Sequence, residues 1–186
     1  DAHTFTVLRP YLSLATKLGS TLQQISPAQI ELLRITYWGG IAELDTRPVT
    51  RAVQSGFLRR ICRENVNDVN APHFMKRMGI EVAVINSSTA SDFTELVRVE
   101  AIAVGGKPYL LEGTLIGTGN VSRITRVNQS EVEVDLEGHL LFLENRDVPG
   151  IVGLIGTILG NYGVNIARMS LSRKKFGGAA LTAGEG

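Results

Sequence analysis

The chain has 186 residues, 44% hydrophobic and 20% charged, with 19 basic and 18 acidic side chains for a net charge of +1. That length holds one generous domain or two small ones, and the near-neutral balance excludes a general field that would draw nucleic acid or an anionic membrane. A single cysteine, Cys62, excludes an internal disulfide and any cysteine-based zinc or iron–sulfur site held by this chain alone, so a reducing cytoplasm is the expected compartment.

No apolar run reaches the roughly 20 residues of a membrane helix, and the N-terminus lacks the apolar stretch of a signal peptide. The start at Asp1-Ala2-His3 and the end at Ala183-Gly184-Glu185-Gly186 read as cut or processed ends. Pro10, placed for the first turn of a helix, is followed by Tyr11, Leu14, Ala15, Leu18, Leu22 and Ile25 at helical spacing. Ser26-Pro27 ends that helix. Ile30, Leu33, Ile35 and Tyr37 suit a strand, and Gly39-Gly40 predicts a hairpin into a short segment at 41–44.

Asp45-Thr46-Arg47-Pro48 starts a second helix with Thr46 as its cap. Val49, Ala52, Val53, Gly56, Phe57, Arg60 and Ile61 form its inner stripe, with Arg51, Arg59 and Arg63 on the wet side. A polar connection at 65–70 leads to a short helix opened by Ala71-Pro72 and stopped by Gly79. From Ile80 the pattern turns to strands at 81–85, 94–103, 109–116, 122–127 and 131–136, with Gly105-Gly106 as a hairpin turn and Gly117-Thr118-Gly119 as another connection. Glu137-Gly138 reads as a hinge, giving domains at 1–136 and 137–186. Helices followed by antiparallel candidates predict an α+β fold.

The last domain carries the most chemistry. A strand from Leu140 runs into Asn145-Arg146-Asp147-Val148-Pro149-Gly150, then a helix of small residues, then Gly163-Val164-Asn165-Ile166 opening a second strand. On this reading two asparagines, an aspartate and a helix N-terminus gather at neighbouring strand ends. Asp147 supports a helix whose first turn contains Pro149, and capping is compatible with ligand binding. N–H groups after Pro149 attract a carboxylate by roughly 0.3–1 kcal/mol, and an ammonium on Asp147 adds about 1.5–3 kcal/mol. Gly153, Gly156 and Gly160 each cost about 1 kcal/mol inside a helix relative to alanine. Close packing on the helix's own sheet or on a partner subunit is the expected reason.

The stretch from Leu140 to Met169 resembles the first half of an ACT domain, a βαββαβ module that senses amino acids, and is most similar to the C-terminal regulatory region of D-3-phosphoglycerate dehydrogenases. The block before it resembles the allosteric-substrate-binding domain of that family through Pro10-Tyr11-Leu12, Leu18-Gly19, the run from Ala42 to Pro48, Val69-Asn70-Ala71-Pro72 and Glu112-Gly113-Thr114-Leu115. The resemblance implies an incomplete ferredoxin-like ACT domain whose second helix and last strand have no sequence left to form them. It also implies L-serine bound between two such domains through Asn145, Asp147, Val148, Pro149, Gly150, Asn165 and Ile166. It implies a dimer or tetramer, catalytic domains as partners, and NAD in the catalytic part of the parent but none here. In some relatives a substrate-like anion binds through Lys and Arg near the domain junction. Arg123, Arg126, Lys107 and Arg47 are the candidates for that role, against a competing reading as solvated charge.

The glycine spacing from Gly150 to Gly163 lacks the tight glycine-rich turn of a dinucleotide fingerprint. His3, His73 and His139 have no carboxylate at ligand spacing, so no metal site is expected. Cys62 reads as packing, and Glu131, Glu133 and Asp135 as one solvated strand face. The chain itself shows no active site. Two rival readings remain open: the small chain of an iron–sulfur L-serine dehydratase, and a stand-alone amino-acid-binding ACT protein.

Overall fold

The computed structural model describes residues 2–27, 29–62, 64–87, 95–146, 148–173 and 179–185. Helix α1 (Ala2–Ile25) leads to β1 (Ile30–Gly39), a 3-10 turn (Gly40–Glu43), α2 (Arg47–Leu58) and α3 (Ala71–Arg77). Five strands follow: β2 (Glu81–Ser87), β3 (Glu95–Ala103), β4 (Pro108–Ile116), β5 (Val121–Val127) and β6 (Ser130–Asp135). The chain ends with β7 (Leu140–Arg146), α4 (Ile151–Asn161), β8 (Arg168–Arg173) and β9 (Ala179–Glu185). This is an α+β architecture with a six-stranded sheet, order β2-β1-β3-β4-β5-β6, and a three-stranded sheet, order β7-β9-β8. The larger sheet is mixed rather than wholly antiparallel. The crossover through α2 and α3 returns β2 parallel to β1, and every other neighbour is antiparallel.

Alternation puts Leu33, Ile35 and Tyr37 of β1 and Val97, Val99 and Ala101 of β3 on the face that α1 and α2 cover. Leu14, Leu18 and Leu22 at helical spacing on α1 meet Val49, Val53 and Phe57 of α2 there, all at most 2% exposed. Burying each such side chain contributes roughly 1.5–3 kcal/mol. The Tyr37 hydroxyl lies 2.8 Å from Thr50 Oγ1, a buried pairing that satisfies both groups, and burial holds the phenol far above its ordinary pKa.

Several local expectations give way to long-range contacts. Pro10 lies inside α1, because Leu8 two residues earlier is 3% exposed and ties the preceding segment to the core. Gly39-Gly40 makes no hairpin. The Glu95 carboxylate of β3 accepts the Gly40 and Ile41 N–H groups at 3.0 and 2.9 Å, and Ile41 is buried, so the chain winds into a 3-10 turn. Burial first, and then the charge and hydrogen bond of Glu95, push the Tyr11 phenol up to about 12.

Thr46 occupies the N-cap of α2 without a side-chain cap bond; Asp45 accepts the Arg47 N–H at 3.2 Å and the Arg47 guanidinium at 2.7 and 2.6 Å. Those bonds hold the Asp45 carboxyl at about 2, so it stays ionised throughout the neutral range. Helix α2 ends at Leu58, which leaves Arg60 and Ile61 exposed rather than on an inner stripe. Arg63 and Thr94 lie outside the described residues. Cys62 packs against the core, its Sγ 3.7 Å from Met78 Sδ, and burial pushes the thiol up.

Candidate functional site

Strands β7, β8 and β9 with α4 form a split β-α-β: β9 lies between β7 and β8 and runs antiparallel to both. That is the order of the first four elements of a ferredoxin-like βαββαβ sheet. Helix α4 begins one residue after Gly150, whose φ of 92° makes it a left-handed N-cap, and its first intrahelical bond runs from Leu154 N–H to the Gly150 carbonyl. Pro149 therefore precedes the helix instead of opening its first turn. The left-handed glycine ends a separate turn at 148–150, closed by the Ile151 N–H on the Val148 carbonyl at 3.5 Å, and the Val152 and Gly153 N–H groups follow it without an intrahelical acceptor.

At the other end of α4, the Val164 N–H reaches the Leu159 carbonyl at 2.9 Å and the Gly163 N–H reaches Gly160 at 3.0 Å. With Gly163 at φ 69° this is a Schellman motif, and it delivers Asn165 directly beyond the helix. Two glycine substitutions should therefore have opposite signs. Gly163→Ala forces a side chain into a left-handed conformation and should cost about 1 kcal/mol. Gly156→Ala, where an added Cβ would meet nothing within 4 Å, should stabilise the chain by about 1 kcal/mol. Urea denaturation checks both. Added Cβ atoms at Gly153 and Gly160 also meet nothing within 4 Å, so packing on the helix's own sheet does not explain these glycines.

Val148, Pro149, Gly150 and Asn165 are exposed and Ile166 is half-buried. Asn145 lies on β7 opposite Ala180, while its side chain and all of Asp147 are outside the described residues. Within one chain the backbone of Asn165 does not lie at the same strand end as Asn145 and the start of α4. Arg168, just after Asn165, pairs with Glu185, whereas Asn145 pairs with Ala180. Those two β9 positions lie about 17 Å apart at the usual strand rise. Strands β7 and β8 are parallel across β9, so the end of one and the start of the other fall on opposite edges of the sheet.

The arginines proposed from the sequence meet carboxylates on the open face of the larger sheet. Arg126 Nε is 3.1 Å from Glu112 Oε2, and its Nη2 is 2.7 Å from Glu131. Arg123 binds Asp135 at 2.8 Å and Glu133 at 2.5 Å. Arg98 also binds Glu112 and stacks 4.8 Å from the centre of the Trp38 ring. Alternation alone would put Arg123 and Arg126 on opposite faces. A bulge, with Thr125 passed over between the Gly113–Ile124 and Glu112–Arg126 pairs, brings both to the same one.

Arg168 of β8 reaches Asp135 at 2.5 Å, joining the two sheets. Partial burial pushes the Asp135 carboxyl up, but Arg123 and then Arg168 outweigh it and hold the group below its ordinary range. Their stabilisation is complete above the unfolded carboxyl pKa and is lost as pH falls through the lowered one. Glu131, Glu133 and Asp135 are thus ion-paired, which corrects their reading as merely solvated. Arg47 is taken up by Asp45, and Lys107 sits 5.1 Å from the centre of the Tyr109 ring. Lys107 precedes Pro108, and Arg123 pairs with Thr114 toward the far end of the same strand, about 20 Å away. The four cations form no common site.

Residues 7–128 match the family model described as the D-3-phosphoglycerate dehydrogenase intervening domain. The chain is 36% identical over 177 residues to D-3-phosphoglycerate dehydrogenase of Synechocystis, covering 95% of this chain and 32% of that protein. It is 32% identical to the D-3-phosphoglycerate dehydrogenase of Bacillus subtilis, covering 95% of this chain and 33% of the relative. The enzyme of the same name from Methanocaldococcus jannaschii is also 32% identical, over 94% of this chain and 32% of its own length. The chain spans about a third of the length of the curated relatives it matches. By the match from α1 through β5, it belongs to the D-3-phosphoglycerate dehydrogenase intervening-domain family.

Proposed function

We propose that this chain is a regulatory region of an NAD-dependent D-3-phosphoglycerate dehydrogenase, in which an ACT-type module binds L-serine as feedback effector. The split β-α-β with its glycine-bounded helix is the observation that carries the reading. An α-amino acid needs N–H donors for its carboxylate and an acceptor for its ammonium. The start of α4 offers donors, and Asn165 offers an amide that both donates and accepts. Because these lie on opposite sheet edges in one chain, the complete site takes one part from each of two copies. The apolar face of α4, with Leu154 55% and Ile158 47% exposed, supports such pairing. Family membership favours the dehydrogenase over the dehydratase and stand-alone readings, and the reducing cytoplasm is the proposed setting.

Asn165→Ala in the full-length parent tests the site. Serine affinity by calorimetry should fall about tenfold or more, while stability without serine changes little. Unchanged affinity would remove Asn165 from the site. A large loss of stability in the absence of serine would make the residue structural instead.

A further inference from the structure

We propose that Arg168 and Ser170 of β8 latch the small sheet to the larger one, and that this latch is linked to occupancy of the ligand site at the start of the same strand. The linkage rests on the amino-acid site proposed above; the latch rests on contacts within the chain.

The register places four side chains on one face of the small sheet. Leu140 pairs with Glu185 and Glu185 with Arg168, so Leu140 and Arg168 share a row across the three strands. Phe142 and Ser170 share the row through Ala183. Residues in one row point to the same side of a sheet, as do alternate residues along a strand. That face meets the rest of the chain in two chemically different ways. On β7, Leu140 and Phe142 pack against the hydrophobic core. On β8, Arg168 Nη1 reaches Asp135 Oδ2 at 2.5 Å, and the Ser170 hydroxyl accepts the Glu133 N–H at 3.4 Å. Strand β6 is the outer strand of the larger sheet, so β8 grips a free sheet edge.

The two sides hold with different firmness. Apolar packing at β7 is non-directional, and it adjoins the connection through Gly138 at φ 66°. The β8 side has a long hydrogen bond and an ion pair whose arginine is 50% exposed. Such a pair fixes two side chains for little net gain. The β8 edge can therefore lift while β7 stays seated. A switch needs a contact this close to balance, because a ligand shifts an equilibrium only by its differential affinity for the two states.

Asn165 lies three residues before Arg168 on the way into β8. A ligand that holds Asn165 against a second copy orders the start of β8, and so reduces the entropy lost when the latch closes. By reciprocity, a closed latch raises ligand affinity. Arg123 holds Asp135 at 2.8 Å from the other side, so closure at the ligand site reaches β5 and β6 of the larger sheet. Arg168 is thus a positioning residue that touches no ligand.

Hydrogen exchange in the full-length parent, read by mass spectrometry on peptides covering β6, tests both parts. Without serine, Arg168→Gln should speed exchange in β6 about fivefold or more and leave β3 and β4 unchanged. Arg168→Lys keeps the charge and should restore slow exchange. Arg77→Gln removes the exposed pair with Glu64 beside α3 and should have no effect on β6. Unchanged β6 exchange in a folded Arg168→Gln variant overturns the latch. Equal acceleration through both sheets overturns it too, since that marks lost global stability. Saturating L-serine should slow exchange in wild-type β6 about threefold or more, and Arg168→Gln should weaken serine binding in calorimetry about fivefold. Equal serine affinity in both proteins overturns the linkage and leaves the amino-acid site standing. A wild-type parent that binds no serine refutes the amino-acid site and the linkage together, while exchange without serine still decides the latch.

Discussion

Gly56→Ala should destabilise the helix-covered sheet by about 3 kcal/mol or more, the upper range for overpacking. An added Cβ at Gly56 would stand 2.1 Å from the Thr16 carbonyl oxygen, and one at Gly19 would stand 2.1 Å from that of Val53. Both obstacles are backbone, so no rotamer change relieves them. The helices would have to part, which unpacks Leu14, Leu18, Val53 and Phe57 together. Helix propensity alone argues the other way, since alanine is favoured over glycine by about 1 kcal/mol. Steric exclusion wins because the contact lies well inside van der Waals distance. The measurement is the urea midpoint at unchanged slope. A variant as stable as the parent would show that the two helices do not approach this closely.

Glu112→Ala should be the most damaging change on the polar face, with a loss of about 2–3 kcal/mol. Its side chain is 6% exposed and accepts from both Arg98 and Arg126, which are themselves 34% and 28% exposed. Removing the carboxylate leaves two neighbouring guanidiniums facing each other over a void. Their partial contact with water is why the expected loss falls below the 3–5 kcal/mol of a fully buried pair. Glu112→Gln keeps an acceptor and the shape, and should cost about half as much. Replacing Arg98, Glu112 and Arg126 together by Met, Leu and Met should recover most of the loss, because no unpaired charge remains. If Glu112→Ala shifts stability by less than about 0.5 kcal/mol, water solvates these arginines well enough without it.

Much of the fold was legible because its signals are local. The periodic leucines of α1, the Ser26-Pro27 stop, the alternation through β3 to β6 and the glycines at 105–106 mark elements that formed where expected. The glycines that bound α4 were legible as residue types, since conformational freedom is a property of one residue, although Gly150 became the left-handed N-cap and the helix began at Ile151, after the expected Pro149. The candidate serine residues were legible as residue types for the same reason. Their arrangement was not. Which strand ends lie together depends on β9 inserting between β7 and β8, a pairing that no spacing within Leu140 to Met169 encodes. The 3-10 turn after Gly39 required Glu95 to collect N–H groups from more than fifty residues away. The shared face of Arg123 and Arg126 required a bulge that shifts strand phase by one. Sequence by itself determined the elements and the chemistry each carries. Tertiary structure alone decided which charges cancel and which remain unspent, because an ion pair depends on distances that the chain sets only when it closes on itself.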